Sequence, residues 1–366
     1  MSTLFDADGF VRAMVGVEAA LARVCGDLDL ISRSAADEIA ERCSSVEIDS
    51  HELLRQGWES GTPVVPLLRH LRLGLSDAAA TALHLGATTQ DIVDTARMCQ
   101  VTQGLRIIEN DLSAVVRRLA ELSKTHRATP MVARTFLQHA GATTFGLRSA
   151  QWLVPLGAAL PEIRKAASQC AVQLGGPVGV LDGFGEHGLD VMEGLASALA
   201  LAPAVPWHGD RSNILRVAQV LQRVTRSAAK TATDVALLCS EGISEVRVRS
   251  GGSSSIPNKH NPIDAVRVIA AAAACSGAIH TLVAAPAIEL ERGVGGWHAE
   301  WFALPVAFMT AGATIEALRR CIESLTIDEA AMSRNLTRAG TDASAAILAA
   351  GRLLDRILAE QRIEGS

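Results

Sequence analysis

A chain of 366 residues can bury a sizeable core; at roughly 150 residues per domain it holds two to three domains, or one large helical domain with appendages. Hydrophobic residues make up 49% of it but aromatics only 3%, with no Tyr, so the apolar mass is Ala, Leu, Val and Ile, which suits close-packed helices and argues against a β-sandwich. A formal charge of −5 without any basic run argues against a nucleic-acid or anionic-membrane surface, and the missing Tyr removes one acid/base candidate.

In chain order, Phe10 to Leu30 carries an amphipathic helical pattern, and Ser34 with Asp37 three residues on reads as the start of a short helix. Gly61, Pro63 and Pro66 mark a turn before Leu67 to Leu75. Thr88-Thr89-Gln90-Asp91 has the form of a capping box opening a helix that runs to Lys124. From Asp210 to Glu241 there is neither Gly nor Pro, enough for an element of about 45 Å at about 1.5 Å per residue. Asn261-Pro262 reads as an N-cap followed by Pro at the first helical position of a helix continuing towards Ala285. No β-periodic segment of convincing length is visible. Glycine-rich loops lie at Gly175 to Gly188, Ser250 to Asn258 and Gly293 to Gly296, and loops are where a helical protein concentrates its chemistry.

The longest uncharged run, Val268 to Ile288, is long enough to cross a bilayer, but it is about half Ala and contains Ser276, His280 and Pro286, so it reads as a buried bundle helix. The first ten residues lack a basic region followed by an apolar one, so no export signal is expected and the location expected is cytoplasmic. Seven Cys without a CxxC pair fit reduced thiols used as small core residues, not a zinc site or a disulfide framework.

The segment richest in chemistry is Gly252-Ser-Ser-Ser-Ile-Pro-Asn-Lys-His-Asn-Pro262. Free backbone N–H groups at a helix start, the Lys259 charge and the Asn261 amide would converge where a substrate carboxylate can sit, and a Ser hydroxyl in that field can act as acid/base at carbon. By composition alone, an ordinary Ser/Gly surface loop with a helix cap is the favoured alternative.

This string resembles the signature loop of the fumarase/aspartase superfamily, usually G-S-S-x-M-P-x-K-x-N. His84-Leu-Gly-Ala-Thr-Thr-Gln-Asp91 and Arg134-Thr-Phe-Leu-Gln-His-Ala140 resemble the family's first and second blocks, and Trp207-His208-x-x-Arg211 follows in the same order. Glu291-Arg-Gly-Val-Gly-Gly-Trp-His-Ala-Glu-Trp301, with Gly61-Thr-Pro-Val-Val-Pro66, is similar to the bacterial 3-carboxy-cis,cis-muconate cycloisomerase branch, which acts in the protocatechuate branch of aromatic catabolism.

The resemblance implies roles residue by residue. Ser253 is the expected proton donor or acceptor beside a carboxylate; Lys259 and Asn261 would hold that carboxylate and stabilise an aci-carboxylate intermediate. His139 joins Ser253 and Lys259 as a catalytic candidate. His84, Thr88, Thr89, Gln90, Gln138, Arg211, Ser254 and Trp297 are the substrate-binding candidates. Glu291, Arg292 and Glu300 are expected to form ion pairs buttressing the site, while Trp297 and Trp301 divide between core packing and pocket lining. The expected reaction is lactonisation of a carboxylated muconate without metal or organic cofactor. The alternatives are β-elimination from a substituted succinate, or a non-catalytic descendant of the fold. Phe136 stands where many lyases of the superfamily carry a His acid/base, and Val266 where they often carry its Glu partner.

The implied fold is all-α: a helical domain over 1–100, a long-helix bundle over 101–330, and a short helical remnant of a third domain over 331–366. The implied assembly is a homotetramer with shared active sites. One Ala/Leu-rich bundle would expose too much apolar surface as a monomer, which points the same way.

Overall fold

The computed structural model describes residues 1–249, 251–252, 259–285 and 288–360. It is all-α apart from two short antiparallel strand pairs. The chain forms two compact units, one of residues 1–106, 164–218 and 278–309 and the other of residues 107–163, 219–277 and 310–366. The divisions at 106/107, 218/219, 277/278 and 309/310 fall inside long helices: Thr89–Thr125, Ser212–Leu238, Ile263–Ala284 and Gly296–Glu323.

Local chemistry sets most helix starts. The expected amphipathic segment is the helix Ala7–Asp27, capped by Asp6, whose carboxylate accepts from the Gly9 N–H at 2.7 Å. The next helix, Arg33–Ser45, is capped by Ser32 and not at Ser34: extended backbone at Ser32 lets its Oγ accept from the Ala35 N–H, while Ser34 already lies in the first turn. Pro66, expected in a turn, lies inside the first turn of the helix Val64–Arg72, where the missing N–H has no intrahelical partner to lose. Met14, Leu21, Ile39, Leu67 and Leu71 from these helices pack with Val93 of the Thr89–Thr125 helix into the core of the first unit.

In the second unit, Phe145 and Trp152 of the helix Phe145–Ser168 meet edge to face at 5.9 Å, and Trp152 Nε1 donates to Asp234 at 2.7 Å. The signature-loop helix is Ile263–Ala284, so Pro262 precedes the first helical residue and its carbonyl accepts from Val266 N. That places the start one residue later than the reading with Asn261 as cap.

Two expectations change. A hairpin exists: strand β1, Pro130–Thr135, pairs antiparallel with strand β2, Gln138–Thr144. It shows no apolar/polar alternation because its buried pair Met131 and Val132 are adjacent while its apolar residues Phe136 and Leu137 form the exposed turn. The uncharged run is helical as far as Ala284, but the chain itself buries only 28% of the most apolar window of Ile263–Ala284, leaving Val266, Ile269 and Val283 exposed. All seven Cys are free thiols, and burial pushes Cys43 and Cys321 up to about 12.

Candidate active site

In the first unit the chain enters the Thr89–Thr125 helix through His84, held in a left-handed conformation, and Gly86. Asp91 closes the helix start as expected, its carboxylate accepting from the Thr88 N–H at 2.9 Å. It does more than cap. The same buried carboxylate accepts from the backbone N–H groups of Gly175 and Gly176, from Gln173 Nε2 and from His208 Nε2 at 2.8 Å. The glycine-rich loop is thereby bound to the first block, and its composition has a steric cause: a Cβ on Gly183 would lie 2.6 Å from Gly86 Cα.

One turn further on, Asp94 accepts from Arg211 Nη1 at 2.7 Å and Nη2 at 3.0 Å, from Trp297 Nε1 at 2.9 Å and from Gln90 Nε2 at 3.1 Å. Glu300 takes the other side of the Arg211 guanidinium, at 3.0 Å from Nε and 2.6 Å from Nη2. Burial works against the charge on Arg211, but Asp94 and Glu300 outweigh it and hold its pKa above the usual value. Burial likewise carries Glu300 above the usual carboxylate range, with Arg211 opposing.

Arg211, Gln90 and Trp297 are therefore enclosed, donating to Asp94 and Glu300, with Gln90 Nε2 donating also to the His208 carbonyl at 3.1 Å. These bonds brace the first block, while Gln90 Oε1 is buried without a hydrogen-bond partner. Glu300 forms the expected buttress; Glu291 is exposed.

His84, Thr88 and Thr89 remain half-buried at the helix entrance. His84 Nδ1 pairs with the buried Glu18 carboxylate at 2.7 Å. Burial opposes a charge on the imidazole, but Glu18, by charge and hydrogen bond, together with Asp91 raises the pKa above the ordinary His value. Arg292 Nη2 donates to Thr88 Oγ1 at 2.9 Å, and Arg292 Nε is buried with no hydrogen-bond partner. Glu18 and Arg292 are neighbours of the helix entrance that spacing along the chain does not reveal; Arg292, expected among the buttressing ions, donates to Thr88 and keeps its buried Nε without a partner.

In the second unit the hairpin presents Gln138 and His139, both exposed. Phe136 and Leu137 form a two-residue turn with φ of +48° and +62°, a conformation that Asn-Gly adopts without cost and bulky side chains resist. Phe136 is 99% exposed. The hairpin is anchored below its tip by Arg134, which grips the fully buried Glu245 with two bonds of 3.0 and 2.8 Å, and Asn335 Nδ2 donates to the same carboxylate at 2.8 Å. The ends of the signature loop are pinned together: Gly251 N donates to the Asn261 carbonyl at 3.0 Å. Asn261 is half-buried and Lys259 exposed at the loop's end, while Ser253 and Ser254 lie outside the described residues. Among the described residues no three His, Cys, Asp or Glu side chains gather into a metal-holding group.

The profile of a family described as lyase matches residues 5–277. A 3-carboxy-cis,cis-muconate cycloisomerase of Pseudomonas aeruginosa is 35% identical over 376 residues, covering 100% of this chain and 82% of that protein. A nitrosuccinate lyase of Streptomyces davaonensis is 35% identical over 347 residues, covering 90% of this chain and 73% of that protein. The crystal structure of a 3-carboxy-cis,cis-muconate lactonizing enzyme from Pseudomonas putida superposes with a TM-score of 0.86 at 31% identity, over 98% of this chain and 85% of that one. Matched over about three quarters of its length by the family's profile and over its whole length by a relative, the chain belongs to the lyase family of the fumarase/aspartase superfamily.

Proposed function

We propose that this chain is a cycloisomerase that lactonises 3-carboxy-cis,cis-muconate, working in the cytoplasm as a homotetramer with sites shared between subunits. The observation that carries the reading is Phe136, which places an apolar, fully exposed side chain where a second acid/base would stand. Expelling an amine or alkoxide needs an acid to protonate the leaving group. Lactonisation does not: the nucleophile is a carboxylate already ionised at neutral pH. One of its oxygens forms the C–O bond at one end of a C=C; the π pair moves to the carbon beside another carboxylate, is held there as the aci-carboxylate, and takes one proton. A single acid suffices, and Ser253 in the signature loop is the group assigned to supply it. Lys259 and Asn261 would hold the carboxylate that gains charge, the largest demand such a step makes. His84, Arg292, Thr88 and Thr89 would receive the substrate's other carboxylates, with Gln138 and Ser254 orienting the reacting end and His139 the further catalytic candidate beside Ser253 and Lys259. The cations at these positions, Arg292, Lys259 and His84 with its raised pKa, suit a tricarboxylate.

Two features support the assembly: the helix Ile263–Ala284 is mostly uncovered by its own chain, and the strained Phe136–Leu137 turn puts two apolar side chains into solvent.

A second reading is favoured by the nitrosuccinate lyase relative: nitrite is a weakly basic leaving group that departs without an acid, so Phe136 suits that elimination as well. The purified protein given 3-carboxy-cis,cis-muconate should consume the dienoate absorbance and form a lactone, and Ser253→Ala should abolish this with the fold intact. No turnover there, with nitrite released from nitrosuccinate, would transfer the assignment to the second reading.

A further inference from the structure

The first unit contains a cavity of about 420 Å³ that none of the roles above uses. Its walls are aromatic or apolar: Phe10, Leu54, Trp58, Trp301 and Phe302, with Trp58 and Phe302 edge to face at 5.5 Å. One side chain in the lining is charged, Arg97 of the Thr89–Thr125 helix. It is 6% exposed and faces the Phe10 ring, its guanidinium carbon 3.6 Å from the ring centroid. Its described hydrogen bond is neutral, from Nη1 to Gln100 Oε1 at 2.9 Å, and its Nε is buried without a partner. Trp301 Nε1, in the same lining, is also a buried donor without a partner.

Arg211 shows how this chain treats a buried guanidinium when it serves the fold: two carboxylates take its hydrogens. Among the described residues Arg97 has no such pair. Burial pushes its pKa down, and Asp94, one turn back on the same helix, opposes this at a distance without a hydrogen bond. An enclosed cation and an indole N–H, both with donors free, against aromatic walls, form the complement of a ligand that is anionic at one end and aromatic in its body. We propose that this cavity binds an aromatic monocarboxylate, its carboxylate taken by Arg97 and Trp301 and its ring held between Trp58, Phe302 and Phe10.

The probes are benzoate and its neutral analogue benzamide, titrated calorimetrically into the full-length protein. Benzoate should bind saturably at one site per chain, with benzamide about tenfold weaker or more, the loss expected when a charge-assisted bond is removed. Arg97→Met should remove the preference for benzoate. Trp58→Ala, at an exposed position outside the packed interior, should weaken both probes several-fold and serves if Arg97→Met does not fold. Absence of saturable benzoate binding, equal affinity for the two probes, or benzoate affinity unchanged in the folded variants would overturn the assignment.

Discussion

Replacing Arg211 with Met separates a brace from a substrate ligand. The variant keeps the length and much of the packing against Trp207, over whose ring the guanidinium lies at 4.8 Å, but leaves Asp94 and Glu300 enclosed without their shared cation. Removing one partner of a buried ion pair costs ~3–5 kcal/mol, against a total stability of ~5–15 kcal/mol for a typical domain. The urea midpoint followed by far-UV circular dichroism should therefore fall steeply. The loss should also depend on pH in a set direction. Burial already carries Glu300 above the usual carboxylate range, and without Arg211 it rises further. A carboxyl group whose folded pKa exceeds its unfolded value supports the fold at low pH and ceases to as pH rises through the folded pKa. The defect should be largest near pH 8 and shrink towards pH 5, and Glu300→Gln added to Arg211→Met should restore part of it. An Arg211→Met protein within about 0.5 kcal/mol of the parent, the range of an ordinary surface substitution, but with a KM raised tenfold would refute the reasoning and return Arg211 to the substrate.

Glu18→Gln removes the carboxylate that raises the His84 pKa against the effect of burial; the variant should lose substrate affinity at a lower pH, read as the alkaline limb of log(kcat/KM) moving to lower pH. The paired change Phe136→Asn with Leu137→Gly should relax the turn, since that pair accepts positive φ, yet lower activity or assembly, read by turnover and gel filtration, if the apolar tip is used by a neighbouring subunit. Ile269→Lys on the uncovered face of Ile263–Ala284 should yield species smaller than the parent by light scattering; a parent mass equal to one chain would remove the tetramer altogether. Gly183→Ala should destabilise by ~1–3 kcal/mol, because the added methyl meets Gly86 backbone that cannot move aside, and the thermal midpoint should fall accordingly.

The parts of this molecule that could be read along the chain are those decided within a few residues. The Thr88–Asp91 box names its own helix start because donor and acceptor are three residues apart. The same reasoning puts the next start at Ser34, two residues late, because a Ser with an acidic residue three positions on does not show which backbone is extended, and that backbone is at Ser32. The hairpin escaped because its pattern is not one of alternation; its buried anchor, Glu245, lies 111 residues from Arg134. The ion pairs of Arg211 are hidden for the same reason: its partners are 117 and 89 residues away, and a lone Arg in a motif does not announce two buried carboxylates. The candidate reactive loop is picked out by family resemblance alone; local propensity reads it as a Ser/Gly turn.

Asp91 also constrains how this sequence can change. Its one carboxylate receives hydrogens from Thr88, from Gln173, Gly175 and Gly176, and from His208, so three stretches far apart in the chain share a single junction. A chimera that imports any one of these stretches from a relative of different geometry inherits a junction with a missing or misplaced strut. The stretches are therefore exchangeable as a set, and recombination between family members should preserve function only at crossovers that keep all three from one parent.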